Sequence, residues 1–345
     1  MQFNEALIKH YHESILPIEK LRTLVNINEA YLREKPTWYK LNNGRLVYFK
    51  SRNDLRLFSE LFFSEFARDI VGLDTIKFDV VHMRTKDSIK KPKEEERKIG
   101  LISNNFQVNT NNYYLVSELE NPEISSLVAY GGYSLKTLLS FFKDLLASDD
   151  YTKIKDFLIK LFIADAFTLQ VDRNHNNISF QIPKLKGIGY KQRLNPEFIV
   201  KSFKTTDAVV VEDSIPKIVG LEPSVVYDNE RILGIDHKHQ FVHEKGDVWM
   251  PLFPYNSELL FKSQDEAKEY QDIYDGYDPN LYELLSDFPE LLPIAERLAY
   301  DDEYKRILEK FHGSMMPVML DEAEYDKIVD TIEERRDVFQ RVLRQ

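Results

Sequence analysis

The chain has 345 residues, 43% of them hydrophobic and 12% aromatic, enough for one large domain or two packed lobes and too apolar for a disordered chain. Its formal net charge of -11 argues against a general nucleic-acid binder, which needs a basic face to neutralise phosphates. Cysteine is absent, so disulfide frameworks, thiolate metal sites and cysteine nucleophiles are excluded. No apolar run is long enough to span a bilayer, and the stretch MQFNEALIKHYHESI lacks a signal-peptide pattern. A cytoplasmic protein that binds neither membrane nor nucleic acid directly is expected.

The first thirty residues read as short helices punctuated by Pro17 and by Asn26–Asn28. Two β-rich runs follow, Thr37–Leu41 and Arg45–Lys50, with the hairpin signal Asn43-Gly44 between them, because both residues accept positive φ. Asn53 or Asp54 can then cap a helix through about Val71, with Phe58, Leu61, Phe62, Phe66, Ile70 and Val71 largely on one face. Strands are predicted at Ile76–Met83 and Ile99–Phe106, separated by the charged, solvated loop RTKDSIKKPKEEERK. Apolar stripes at helical spacing predict helices over Leu135–Leu146 and Ile154–Phe167. The second runs into VDRNHNNISF, a polar turn and a short strand. Scattered β-like runs occupy Gln181 to Gly220, and residues 264 to 345 are mostly helical, ending in the amphipathic segment Glu322–Leu343. This order predicts an α+β, two-lobed architecture: an N-terminal helical segment (1–36), an N-lobe (37–120) and a C-lobe (121–345).

Phosphoryl transfer asks a protein for a carboxylate near the attacking hydroxyl, oxygen ligands for magnesium, and cations on the phosphates. The turn VDRNHNNIS offers Asp172 and Asn177, five positions apart, the Asp-to-Asn interval of a protein-kinase catalytic loop. An ordinary Asx-rich turn has the same composition. VGLEPSVVYDNE delivers Asp228 at the end of a predicted strand, followed by Asn229, and a carboxylate there suits magnesium. Lys50 ends the strand RLVYFK and Glu60 lies on the following helix, the order of a phosphate-orienting lysine–glutamate pair. Each feature has a bland explanation. Their joint order of lysine, glutamate, Asp-x4-Asn and Asp favours a kinase.

These segments resemble a known family. FKSRNDLRLFSELFFSEFARDIVGL looks like the lysine strand and following helix of the HipA-like serine/threonine kinases, and KIGLISNNF like the strand that leads to their nucleotide hinge. FIADAFTLQVDRNHNNISF is similar to their catalytic segment and LEPSVVYDNERIL to their magnesium-binding segment, over roughly Thr37 to Leu233. The resemblance implies a bilobal kinase-like fold using ATP and magnesium. By position it implies that Lys50 contacts phosphate, Asp172 is the catalytic carboxylate, and Asn177 and Asp228 bind magnesium. The backbone of Ile102, Ser103, Asn104 and Asn105 would meet adenine. Glu60 and His175 join this cofactor-binding set, His175 as a residue that orients the loop, touches substrate or makes a structural hydrogen bond. Three departures stand out: Glu230 follows Asn229 where the family commonly has glycine, no Gly-rich phosphate loop is recognisable, and residues 1–36 are too short for the N-terminal subdomain of full-length members, so a kinase core without it is expected.

Other signals carry less. YGGYSLKT fails the P-loop spacing, with its lysine inside a helical pattern, and GIGYKQ lacks the last glycine of a dinucleotide fingerprint. Asp236, His237, His239 and His243 lack a metal-ligand spacing and read as a solvated strand or loop. Arg173, beside Asp172, is placed to hold that loop by a charge-assisted bond.

The leading expectation is a toxin–antitoxin-type serine/threonine protein kinase with a protein substrate and an antitoxin-like partner. Alternatives are a small-molecule or lipid kinase on the same fold, and a nucleotide-binding pseudokinase that acts through a protein partner.

Overall fold

Both sides of the Asn43-Gly44 turn signal form strands, and they pair as that signal requires. Strands β1 (Trp38–Lys40) and β2 (Leu46–Lys50) are antiparallel, with Trp38 opposite Tyr48 and Lys40 opposite Leu46. With β3 (Phe78–Met83) and β4 (Lys98–Asn104) they make a four-stranded antiparallel sheet in the order β1-β2-β4-β3. Lys50 is therefore opposite Leu101 on β4, and Leu101 is opposite Val80 on β3. The computed structural model describes residues 38–40, 46–50, 54–83, 98–104, 111–115, 135–170, 173, 178–183, 209–212, 215–218, 220–226, 229, 232–233, 279–310 and 322–345. The expected helices of the first thirty residues, the charged loop at 84–97 and the histidine cluster at 236–243 lie outside these.

Helix α1 (Asp54–Phe66) continues into a π-helical turn, Ala67–Val71, closed by Gly72 at φ 81°, a backbone angle that favours glycine. Its sequence suggests one apolar face, but every residue from Leu55 to Ser64 is buried, Arg56, Ser59, Glu60 and Ser64 included. The physical reason is enclosure. The sheet covers one side and C-terminal helices the other, so only Glu65, Arg68 and Asp69 reach solvent, one helical stripe apart.

The remaining elements begin with β5 (Asn111–Leu115), α2 (Leu135–Leu145) and α3 (Ser148–Thr168). Next come β6 (Ser179–Pro183), a β7/β8 hairpin (Val209–Glu212 and Ile215–Ile218) and the short β9 (Glu222–Pro223). A second sheet has the order β5-β6-β9. Helices α4 (Pro279–Asp287), α5 (Leu292–Tyr300), α6 (303–310) and α7 (Glu322–Leu343) complete the described chain. Helix α3 starts six residues before the apolar stripe that predicts it, because its first turn is the polar run Ser148–Lys153.

The core is one cluster built on aromatic rings. Phe58, Phe62 and Phe66 stack along α1 at centroid spacings of 5.9 and 5.7 Å, and Phe66 stacks on Phe167 of α3 at 5.3 Å. Phe167 in turn meets Phe339 of α7 edge-on at 5.3 Å. Polar ties reinforce this packing. Arg297 of α5 donates to the Ile70 carbonyl at the end of the π-turn (2.8 Å), Lys310 pairs with Glu65 (2.6 Å), and Arg335 of α7 donates to the Ala166 carbonyl (3.0 Å). Among the described residues no helix is long and apolar enough to cross a membrane.

Candidate functional site

Strand β2 and helix α1 each contribute one charged residue to the space between them. The Lys50 ammonium donates to Glu60 Oε1, and both side chains are buried. Burying either charge alone would cost several kcal/mol by desolvation, so the pairing is what permits both positions. Sequence order placed these residues on consecutive elements; the packing of α1 against the sheet brings them together.

Next along the sheet, β4 carries Ile102, Ser103 and Asn104, opposite Phe49, Tyr48 and Val47 of β2 respectively. Ser103 is buried, and its hydroxyl has no hydrogen-bond partner among the described residues. The remaining sequence candidates, Asn105, Asp172, His175, Asn177 and Asp228, lie outside the described residues. Their neighbours do not.

Arg173, next to Asp172 in the chain, is 1% exposed. Its Nε and Nη2 donate to Asp165 Oδ2 and Oδ1 at 2.8 and 2.9 Å, and Nη2 also donates to Asn229 Oδ1 at 2.8 Å. A guanidinium is suited to this task because its donors lie in one rigid plane and match a carboxylate two at a time. The same group packs over the Phe63 ring of α1, 5.6 Å from its centroid, three residues beyond Glu60. Burial pushes the Asp165 carboxyl above its ordinary value, while the charge and hydrogen bonds of Arg173 act in the opposite sense.

The segment around Asp228 is fastened on both sides. Before it, Val226 forms a parallel bridge with Thr75: its N–H donates to the Asp74 carbonyl (2.9 Å), and its own carbonyl accepts from the Ile76 N–H (3.1 Å). The predicted strand leading to Asp228 is thus only the two-residue β9 and this bridge. After it, buried Asn229 takes the Arg173 bond, and the Leu233 N–H donates to the Thr168 carbonyl at the end of α3 (2.6 Å). Leu169 and Leu233 both have positive φ, 50° and 59°, which disfavours a side chain with a Cβ. Such strain persists only where surrounding contacts impose it, here where α3 ends at Thr168 and Leu233 bonds to its last carbonyl.

Sequence reasoning anticipated that Arg173 holds its loop but identified neither partner. Asp165 had a signal: it is the one charged residue in the run FLIKLFIADAFTL after Lys160, at a position of the buried helix face. The Thr75–Val226 bridge had none, since its partners are far apart in the chain and neither sits in a long strand. Lys136, the lysine of the P-loop-like YGGYSLKT, lies in the first turn of α2 and pairs with Asp287 at 3.3 Å, which agrees with setting that motif aside.

No protein-family model matches the sequence, and no match emerges among curated proteins. Comparison of structures does find likenesses. The Helicobacter pylori proinflammatory kinase CtkA aligns with a TM-score of 0.52 at 15% identity, over 89% of this chain and 94% of CtkA. HipA of Shewanella oneidensis MR-1, in a toxin–antitoxin complex with HipB and operator DNA, aligns with a TM-score of 0.45 at 13% identity, over 99% of this chain and 71% of HipA. The chain shares its fold with CtkA.

Proposed function

We propose that this chain is an ATP- and magnesium-dependent phosphotransferase acting on a serine or threonine hydroxyl of a protein. The observation that carries this reading is the buried Lys50–Glu60 pair between β2 and α1. A lysine held by a helix glutamate at the inner end of a strand is a cation aimed by the fold, and kinases use that arrangement to orient phosphates.

Each residue has one task in this reading. Lys50 binds phosphate oxygens, and Glu60 keeps its ammonium in place. Asp172 orients the acceptor hydroxyl and takes its proton. The backbone of Ile102, Ser103, Asn104 and Asn105 receives the adenine, and His175 orients the catalytic turn. Asn177 and Asp228 would hold magnesium, which when bound neutralises the charge that develops on the phosphates. The residues fit that ion: an amide oxygen and a carboxylate are hard oxygen donors.

The division into a helical segment (1–36), an N-lobe (37–120) and a C-lobe (121–345) belongs to the same proposal, as do a bilobal arrangement, a cytoplasmic location and an antitoxin-like protein partner. The test is transfer of the ATP γ-phosphate to the chain itself or to lysate proteins in the presence of magnesium. Transfer by the wild type that is lost in Asp172→Ala is the expected result. Activity that survives Asp172→Ala contradicts the residue assignment, and ATP binding without any transfer points to a pseudokinase.

A further inference from the structure

We infer that Asp165, Arg173 and Asn229 form a positioning network that sets the Asp228 segment against the Asp172 turn, with Asn229 the member on which metal loading depends. This rests on the phosphotransfer reading above and adds to it residues that touch neither nucleotide nor acceptor.

The two acids assigned to chemistry are each adjacent in sequence to one arm of the same buried guanidinium contact: Asp172 to Arg173 itself, and Asp228 to Asn229. The third arm is Asp165, fixed in the last turn of a 21-residue helix. A turn and an extended segment, 56 residues apart in the chain, are thereby referred to one rigid element. Phe63 closes the guanidinium face from α1, the helix that also presents Glu60. The network therefore joins α3 to α1 and is adjacent in sequence to both acids.

The Asn229 amide supplies the specific handle. Arg173 has only donors, so the oxygen of the amide must face it and the NH2 must face away. That NH2 is buried and has no hydrogen-bond partner among the described residues. A buried donor left unmatched carries a desolvation penalty that native structures rarely retain without use. An anionic oxygen of the loaded site, from a carboxylate or a phosphate, would satisfy it. Groups behind metal ligands tune affinity by this means, and their loss typically weakens metal binding or activity by about 10–100-fold.

Calorimetric titration of the full chain with ATP, with and without magnesium chloride, tests the inference by binding rather than turnover. In the wild type magnesium should tighten ATP binding. In Asn229→Ala that tightening should shrink by about tenfold or more, with metal-free ATP affinity unchanged. Asn229→Ser keeps an oxygen for Arg173 but lacks the amide NH2; it should show the same loss and covers the case of an alanine variant that does not fold. A purely structural role would lower the melting temperature or weaken ATP binding in both conditions alike. Full magnesium tightening in a folded variant overturns the inference while leaving the phosphotransfer reading intact. A wild type that binds no ATP, or binds it without regard to magnesium, overturns that reading and this inference with it.

Discussion

Two buried ion pairs flank the proposed site, and they differ in a way that separates holding from acting. Arg173–Asp165 is a planar fork matched at two atoms, extended to Asn229 and covered by an aromatic ring. Lys50–Glu60 is a point-charge ammonium on a flexible stem, bonded to one carboxylate oxygen at the end of a strand. The first geometry fixes a backbone. The second leaves a lysine that can turn toward a phosphate without breaking the fold, because an ammonium has three donors and no required plane. Burial alone does not distinguish structural from functional charge; the shape of the cation does.

The hardest way to break this comparison is to remove the fork. Arg173→Met should strand a buried carboxylate and an amide oxygen, costing about 3–5 kcal/mol in urea denaturation. Lys50→Met should cost less stability, roughly 1–3 kcal/mol, because it breaks one bond to a carboxylate where Arg173→Met breaks three. The same variant should lower phosphate transfer at least about 100-fold. Lys50→Met combined with Glu60→Gln sharpens the point: it should recover stability and leave transfer lost. Arg297→Ala removes the cap on the Ile70 carbonyl at the end of the π-turn and should destabilise by about 1 kcal/mol, read as a lower urea midpoint. Lys160→Ala, which deletes the exposed pair with Asp156 on α3, should change stability by no more than about 0.5 kcal/mol.

What the sequence disclosed follows from where its physics is local. The amphipathic pattern of Glu322–Leu343 predicts α7 to the residue, and turn chemistry predicts the β1–β2 pair to within one residue at every end. Lys50 and Glu60 were legible because strand and helix periodicities place them on successive elements. The complete enclosure of α1 was not legible, since hydrophobic pattern reports which residues can be buried and cannot report that Arg56, Ser59 and Glu60 are buried as well. The π-turn at Ala67–Val71 escaped because its residues continue the apolar stripe of α1. Asp165 and Asn229 escaped for a different reason. Each looks like an ordinary polar residue until the fold brings Arg173 and Asn229, 56 positions apart in the chain, together.

The central claim is that Lys50 is the phosphate cation of a nucleotide site completed by Asp172, Asn177 and Asp228. A structure of the chain with ATP and magnesium tests it most directly. The account predicts Lys50 Nζ on phosphate oxygens, Asn177 and Asp228 sharing a metal with them, and adenine against the backbone that follows Leu101. A nucleotide bound elsewhere, or one bound here with Lys50 Nζ away from its phosphates and no metal between phosphate and Asp228, would contradict it.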